Sequence, residues 1–214
     1  MAPDLLDALR AEHLVALGAL PADPGFCPAP LQTLVLIGPG GGEDWWRRVT
    51  ASREWSDGRT DPIDRWSKRI LNDLATRFHG RAVFPSDGPP YPPFFHWALQ
   101  SGAFWQSPVG MLVHADAGLW ASFRGALAVP FDLLLPRVEN PCLHCPEQPC
   151  RTACPVAALS PTRYETSACH AYLDTEAGKD CLSNGCLARR ACPAAQSHAR
   201  LADQSAYHMS QFHP

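Results

Sequence analysis

Eight of the nine cysteines fall in the last third of the chain, where they form two runs of four. The first run reads C-x2-C-x4-C-x3-C-P, and the second reads C-x11-C-x4-C-x5-C-P. In chain order they are Cys142, Cys145, Cys150 and Cys154, then Cys169, Cys181, Cys186 and Cys192. Four thiolates closed by a Cys-Pro step form the ligand layout of proteins that hold cubane iron–sulfur clusters. The spacing therefore predicts two [4Fe–4S] clusters.

The closing Cys-Pro of each run also predicts which cysteines share a cluster. In two-cluster ferredoxins the fourth cysteine of each run ligates the other cluster. One predicted ligand set is therefore Cys142, Cys145, Cys150 and Cys192. The other is Cys169, Cys181, Cys186 and Cys154.

Both runs depart from the usual bacterial spacing, and this leaves two alternatives open. The middle gap of the first run and the first gap of the second run are longer than in bacterial ferredoxins. A single cluster or a four-cysteine zinc site would also use closely spaced cysteine pairs. His144 and His170 lie among the cysteines and are possible metal ligands, but we expect them to donate hydrogen bonds to sulfur or to face solvent. Cys27 stands alone in a proline-rich stretch, and we assign it no role.

The composition of the 214 residues limits the classes of partner and compartment. A formal net charge of −3 gives no electrostatic basis for nucleic-acid binding. No apolar run reaches the roughly 18–20 residues that span a membrane, so we expect no membrane partner. The N-terminus lacks a basic segment followed by an apolar one, so we predict a cytoplasmic protein. In a reducing compartment, clustered cysteines are metal ligands more often than disulfides.

The residues before the cysteine runs predict a layered domain of helices and strands. A buried strand is expected at 33–38, and a short strand at 81–84. The strongest helix is expected at 61–78, with Asp61 as its cap, Pro62 in its first position and apolar residues on one face. We predict an α+β fold with an α/β domain over 1–136, an iron–sulfur module over 137–195 and a terminal helix over 196–214 that packs back on the body.

Two glycine-containing stretches carry further candidates for ligand binding. Gly38–Glu43 follows the predicted strand and resembles a phosphate-binding loop, but it matches neither the dinucleotide fingerprint nor the P-loop pattern, so a strand-to-helix turn is favoured. In 107–127 we expect a strand pair at 111–114 and 119–123. This pair would bring His114, Trp120 and Arg124 near one turn as candidate cofactor contacts, with Arg124 suited to an anionic group.

The segment 110–127 resembles a family of cobalamin-handling proteins. His114, Gly118, Trp120 and the run Arg124–Leu127 are similar to the His-Pro-x-x-Gly-x-Trp…Arg-Gly pattern of epoxyqueuosine reductase and cblC-type cobalamin-processing proteins. The run Cys169–Glu176 is similar to the Cys-x-x-Tyr-Leu-x-x-Glu segment of the reductase. One departure is that His114 is followed by Ala115 and not by proline.

The resemblance implies a nitroreductase-like, cobalamin-processing type of α/β sandwich followed by a bacterial ferredoxin-like dicluster module. It implies an oxidoreductase-type function, in which electrons pass through two clusters to a corrinoid, a flavin or a partner protein held by the α/β domain. The expected electron donor is another protein, such as a flavodoxin or a ferredoxin reductase. Two other functions stay open: a cobalamin-binding or trafficking module, and a zinc-stabilised interaction protein without redox chemistry.

Overall fold

The computed structural model describes residues 2–198 and 200–214, which form two compact units. The first unit comprises residues 2–40, 44–103 and 122–138. Its strands are β1 (Leu14–Pro21), β2 (Thr33–Pro39), β3 (Arg81–Val83) and β6 (Gly125–Val129). Its helices are α1 (Ala2–Ala11), α2 (Asp44–Thr50), α3 (Arg53–Ser56), α4 (Pro62–Arg77) and α5 (Phe94–Gln100).

The four strands of the first unit form one antiparallel sheet in the order β1-β2-β6-β3. Val35 of β2 pairs with Leu127 of β6, and Leu127 pairs in turn with Ala82 of β3. Every residue of β2 and β6 is buried, which explains their continuous apolar sequences. The predicted mixed α+β class and the strand predicted at 33–38 are confirmed.

Helix α4 covers β6 and β3 with the apolar face that the sequence predicted. Trp66, Ile70 and Leu71 are among its buried residues. Pro62 occupies the start of the helix as expected, because its missing N–H would have no partner there. The predicted cap is wrong in one respect: Asp61 has a φ of 53°, and its side chain makes no capping hydrogen bond.

A buried carboxylate joins α3 to α4 in the first unit. The Glu54 side chain is 8% exposed and accepts hydrogen bonds from Arg69 Nε and Nη2 at 2.6 and 3.0 Å. Arg53 Nε, on an exposed side chain, lies 3.1 Å away. The Arg69 hydrogen bonds lower the pKa of Glu54 from 4.5 to about 2, against the effect of burial. Because the pKa is depressed in the folded state, the pair stabilises the fold above pH 4.5 and loses this contribution as the pH falls towards 2.

Replacing Glu54 with glutamine is expected to lower the free energy of unfolding by about 2 kcal/mol at pH 7, because it removes a hydrogen-bonded charge pair from a buried position. Urea denaturation at pH 7 and at pH 3 would measure the effect, which should shrink at pH 3. Arg53→Gln is the matched control: its side chain is 78% exposed, so its loss should cost little. Equal losses for both variants would contradict the assignment.

The second unit comprises residues 41–43, 104–121, 139–198 and 200–214. Its two strands are β4 (Phe104–Gln106) and β5 (Leu112–His114). Its α-helices are α6 (Thr166–Leu173), α7 (Lys179–Asn184), α8 (Leu187–Arg190) and α9 (Ala202–Phe212). Its 3-10 helices are Pro141–His144, Pro149–Arg151, Glu176–Gly178 and Pro193–His198. Helix α9 packs on α7, so the predicted terminal helix is present within this unit.

The strand pair predicted at 111–114 and 119–123 is wrong in its second member. Strand β5 pairs with β4, and residues 119–123 are not extended into a strand. The chain instead turns tightly after β5: the backbones of His114 and Gly118 exchange two hydrogen bonds, at 3.1 and 2.9 Å. The turn ends the pairing at Gly118, which has a φ of 53°, a conformation that glycine adopts easily. Among the described residues, no helix is long and apolar enough to cross a membrane.

Candidate metal centre

The first three cysteines of the metal-binding region are held by two short 3-10 helices that both begin with proline. Asn140 caps the first helix by accepting a 3.0 Å hydrogen bond from the Cys142 amide. Cys145 ends that helix, and Cys150 lies within the second one, Pro149–Arg151. The prolines fix the backbone at each helix start and keep the loop tight.

Cys192, from the far end of the module, joins these three cysteines. Burial raises the pKa of the Cys142 thiol, and Cys192, Cys150 and Cys145 raise it further. Burial likewise raises the pKa of Cys150, with Cys192 and Cys145 as the next causes. Cys150 and Cys192 are also buried in one apolar cluster, against which Cys142 packs. The first group of thiols is therefore Cys142, Cys145, Cys150 and Cys192.

The other four cysteines form a second group built on three helices. Cys169 lies in α6, Cys181 in α7, and Cys186 immediately before α8. Burial raises the pKa of Cys169; a hydrogen bond from Tyr164 lowers it, and Cys186 and Cys154 raise it. Burial also raises the pKa of Cys181, and Cys186 adds to this effect. Cys154, from the first run, thus belongs with the second group.

The two groups exchange their closing cysteines. Cys192 lies with the first run, and Cys154 lies with the second, as crossed ligation requires. The packing of α8 against Pro149–Arg151 accounts for part of this arrangement, because it brings the segment before Cys192 to the helix of Cys150. The described residues include all nine cysteines, and none of them forms a disulfide. Cys27 is buried in the first unit. Across residues 2–198 and 200–214, no group of three or more His, Cys, Asp or Glu side chains is arranged to hold a single metal ion.

An apolar wall encloses the first group. It consists of Val109, Val113, Leu119, Trp120 and Ala195, together with Cys150 and Cys192. Such a wall keeps water from sulfur ligands and lowers the local dielectric. By contrast, Leu143, which lies between Cys142 and Cys145, is 75% exposed.

An aromatic side chain from α9 packs on two rings beside the second group. The ring of Phe212 stacks on Tyr164 at 6.1 Å and meets His170 edge-on at 4.7 Å. The Tyr164 hydroxyl donates to Cys169 Sγ at 3.6 Å, and burial raises the pKa of Tyr164. His170 Nε2 is buried without a hydrogen-bond partner in the described residues, whereas His144 is exposed and contacts Glu139. His144 faces solvent as expected, whereas His170 Nε2 neither faces solvent nor donates to sulfur. Phe212 was not predicted, because it reaches the site from a segment distant in sequence.

The proposed cofactor contacts lie in different units. His114 is buried in β5, and its Nδ1 accepts hydrogen bonds from the Asp116 and Ala117 amides at 3.1 and 3.2 Å. It therefore stabilises the turn after β5. Trp120 belongs to the apolar wall of the first thiol group, and the Arg200 guanidinium lies 4.8 Å from its ring.

Arg124 belongs to the first unit, where it lines a cavity of about 370 Å³. Its guanidinium lies 5.8 Å from the Trp45 ring and 3.8 Å from Asp64. The cavity is lined by Asp64, Lys68, Phe84, Pro85, Ser86, Phe123 and Arg124. Its lining combines two cations, one carboxylate and two aromatic rings, which would suit a small planar polar ligand.

Two backbone amides of the glycine loop at 38–43 donate hydrogen bonds to carbonyl groups elsewhere in the chain. Gly40 N donates to His13 O, and Gly42 N donates to His198 O, both at 2.9 Å. This agrees with a strand-to-helix turn. Comparisons with protein-family models, with curated proteins and with solved structures found no match to this chain.

Proposed function

We propose that this protein is an iron–sulfur redox protein that holds two [4Fe–4S] clusters and transfers electrons to an acceptor at the first unit. The observation that carries the proposal is the crossed grouping of the cysteines. Ferredoxin-type dicluster modules exchange the last cysteines of their two runs in this way. When bound, such clusters supply one-electron transfer at potentials from about −700 to +450 mV.

Two hydrogen bonds to sulfur in the second group suit negatively charged ligands. Ala158 N donates to Cys154 Sγ at 3.3 Å, and Tyr164 donates to Cys169. Hydrogen bonds to ligand sulfur stabilise the thiolate form and raise cluster potentials. The apolar wall around Cys150 and Cys192 excludes water from the first group. The donor set and its surroundings therefore fit an iron–sulfur cluster in each group.

The finer fold assignment is part of the same proposal. We interpret the first unit as a nitroreductase-like domain and the second as a ferredoxin-like module related to epoxyqueuosine reductase and cblC-type proteins. The acceptor site we propose is the Arg124 cavity. Its volume of about 370 Å³ suits a small planar ligand such as a flavin ring better than a corrinoid. The electron donor would be a separate protein.

Metal and sulfide analysis of anaerobically purified protein tests the function. We expect about eight irons and eight sulfides per chain, with a brown colour that dithionite bleaches. Cys27→Ser should keep the full iron content, because Cys27 lies outside both groups. A colourless protein that contains zinc and no sulfide, even after anaerobic reconstitution with iron and sulfide, would refute the proposal.

A further inference from the structure

Arg189 lies in α8, the short helix between Cys186 of the second group and Cys192 of the first. The side chain is half-buried, and its Nη1 donates to the backbone carbonyl of Leu119. Burial lowers the pKa of this guanidinium, and Cys186 and Tyr164 act in the opposite direction. Arg190 N donates to Cys186 O at 3.1 Å, so Arg189 lies in the helical turn that follows a ligand of the second group.

Arg189 differs from its neighbours in what balances its charge. Arg190 pairs with Asp180, and Arg163 pairs with Glu165. Within residues 2–198 and 200–214, Arg189 forms no ion pair with a carboxylate, and the carbonyl of Leu119 is its hydrogen-bond acceptor. A cation withdrawn from water is costly unless an anion or several hydrogen bonds compensate it. The Arg189 guanidinium therefore needs a negatively charged partner, and no carboxylate among the described residues provides one.

The hydrogen bond to Leu119 fixes the guanidinium near both groups of thiols. Leu119 belongs to the apolar wall that also contains Cys150 and Cys192. The adjacent Trp120 ring reaches to Gly185, where an added Cβ would lie 2.8 Å from Trp120 Cη2. Gly185 directly precedes Cys186, so the segment 119–120 contacts both cysteine groups. Arg189 cannot swing far into solvent without breaking this contact.

We propose that Arg189 is the counter-cation of the iron–sulfur cluster held by Cys154, Cys169, Cys181 and Cys186, and that its charge raises the reduction potential of that cluster. This inference rests on the proposed function. A cluster held by four thiolates carries net negative charge, and reduction adds one more electron. A fixed positive charge stabilises the reduced state more than the oxidised one, and the effect is large where water does not screen it.

A redox titration of the holoprotein, followed by electron paramagnetic resonance, tests the inference. Arg189→Gln should lower the one-electron reduction constant of the second cluster at least tenfold, which corresponds to 59 mV. Arg189→Lys, which keeps the charge, should stay within threefold of the wild type. Arg151→Gln is the matched control: it removes the same charge beside Cys150 at an exposed position, so the second cluster should be unaffected. The signal of the second cluster is assigned by its loss in Cys169→Ala.

The outcomes separate this inference from the proposed function. A wild-type protein without iron and sulfide would refute the function itself. Intact clusters with an unchanged potential in Arg189→Gln would overturn only the role of Arg189. If Arg189→Gln assembles no second cluster, Arg189→Lys provides the test. A reduction potential near that of the wild type would support the role of the positive charge. A tenfold fall in the reduction constant would overturn it.

Discussion

Cys192→Ala should reduce the iron content from about eight to about four per chain, and the iron that is lost should be that of the first cysteine run. Cys192 closes the second run, so ligation within each run would lose the other cluster, whereas the crossed ligation predicted from the two Cys-Pro closures loses the first. In the structure its thiol lies with Cys142, Cys145 and Cys150, in the apolar cluster that also buries Cys150. Removing the fourth thiolate therefore opens the first site.

Double variants identify the cluster that has been lost. Adding Cys145→Ala to Cys192→Ala should cause little further loss of iron, because both residues serve one site. Adding Cys181→Ala should bring the iron content close to zero. Cys154→Ala is the mirror variant: it should combine additively with Cys145→Ala and not with Cys181→Ala. The reverse pattern of additivity would show that each run binds its own cluster.

Local sequence patterns were sufficient for most of the first unit. The β-branched run of β2 and the helical spacing of α4 each encode burial directly, so both elements were placed within a residue or two. The strand predicted at 119–123 failed because a short apolar run also suits an irregular segment that packs against another part of the chain. Leu119 and Trp120 are buried by the cysteine module and not by a neighbouring strand. Periodicity alone cannot distinguish these two kinds of burial.

The cysteine ligands of the candidate site could be predicted from the sequence, but the residues that surround them could not. Cysteine spacing indicated both groups, because a cluster needs four thiolates whatever the fold around it. Phe212 has no such signature, since it reaches Tyr164 from a segment distant in sequence. Tyr164 and Arg189 lie close to cysteines in the sequence, but spacing alone does not show that their side chains turn toward the site. The role of His114 had a usable signal: a histidine two and three residues before turn amides can accept from them, as its Nδ1 does.

Gly118→Ala should be strongly disruptive, with a loss of about 3 kcal/mol in the free energy of unfolding and of about half the iron. A Cβ at this position would lie 2.5 Å from Ala195 N and 2.8 Å from Ala195 Cα, which are backbone atoms in the turn after Cys192. Ala195 N is hydrogen-bonded to Cys192 O at 3.0 Å, so moving this turn also moves a ligand of the first group. The positive φ adds strain to this overlap.

Gly102→Ala measures the cost of a positive φ without the steric overlap that an added Cβ causes at Gly118. Gly102 also has a positive φ, of 69°, but an added Cβ there meets nothing within 4 Å. Its replacement should cost about 1 kcal/mol, the cost of a left-handed alanine, and should leave the iron content unchanged. Urea denaturation and iron analysis of both variants under anaerobic conditions give the comparison. Equal costs in the two variants would show that the turn after Cys192 yields easily, and that the Gly118 contact does not hold Cys192 in the first group.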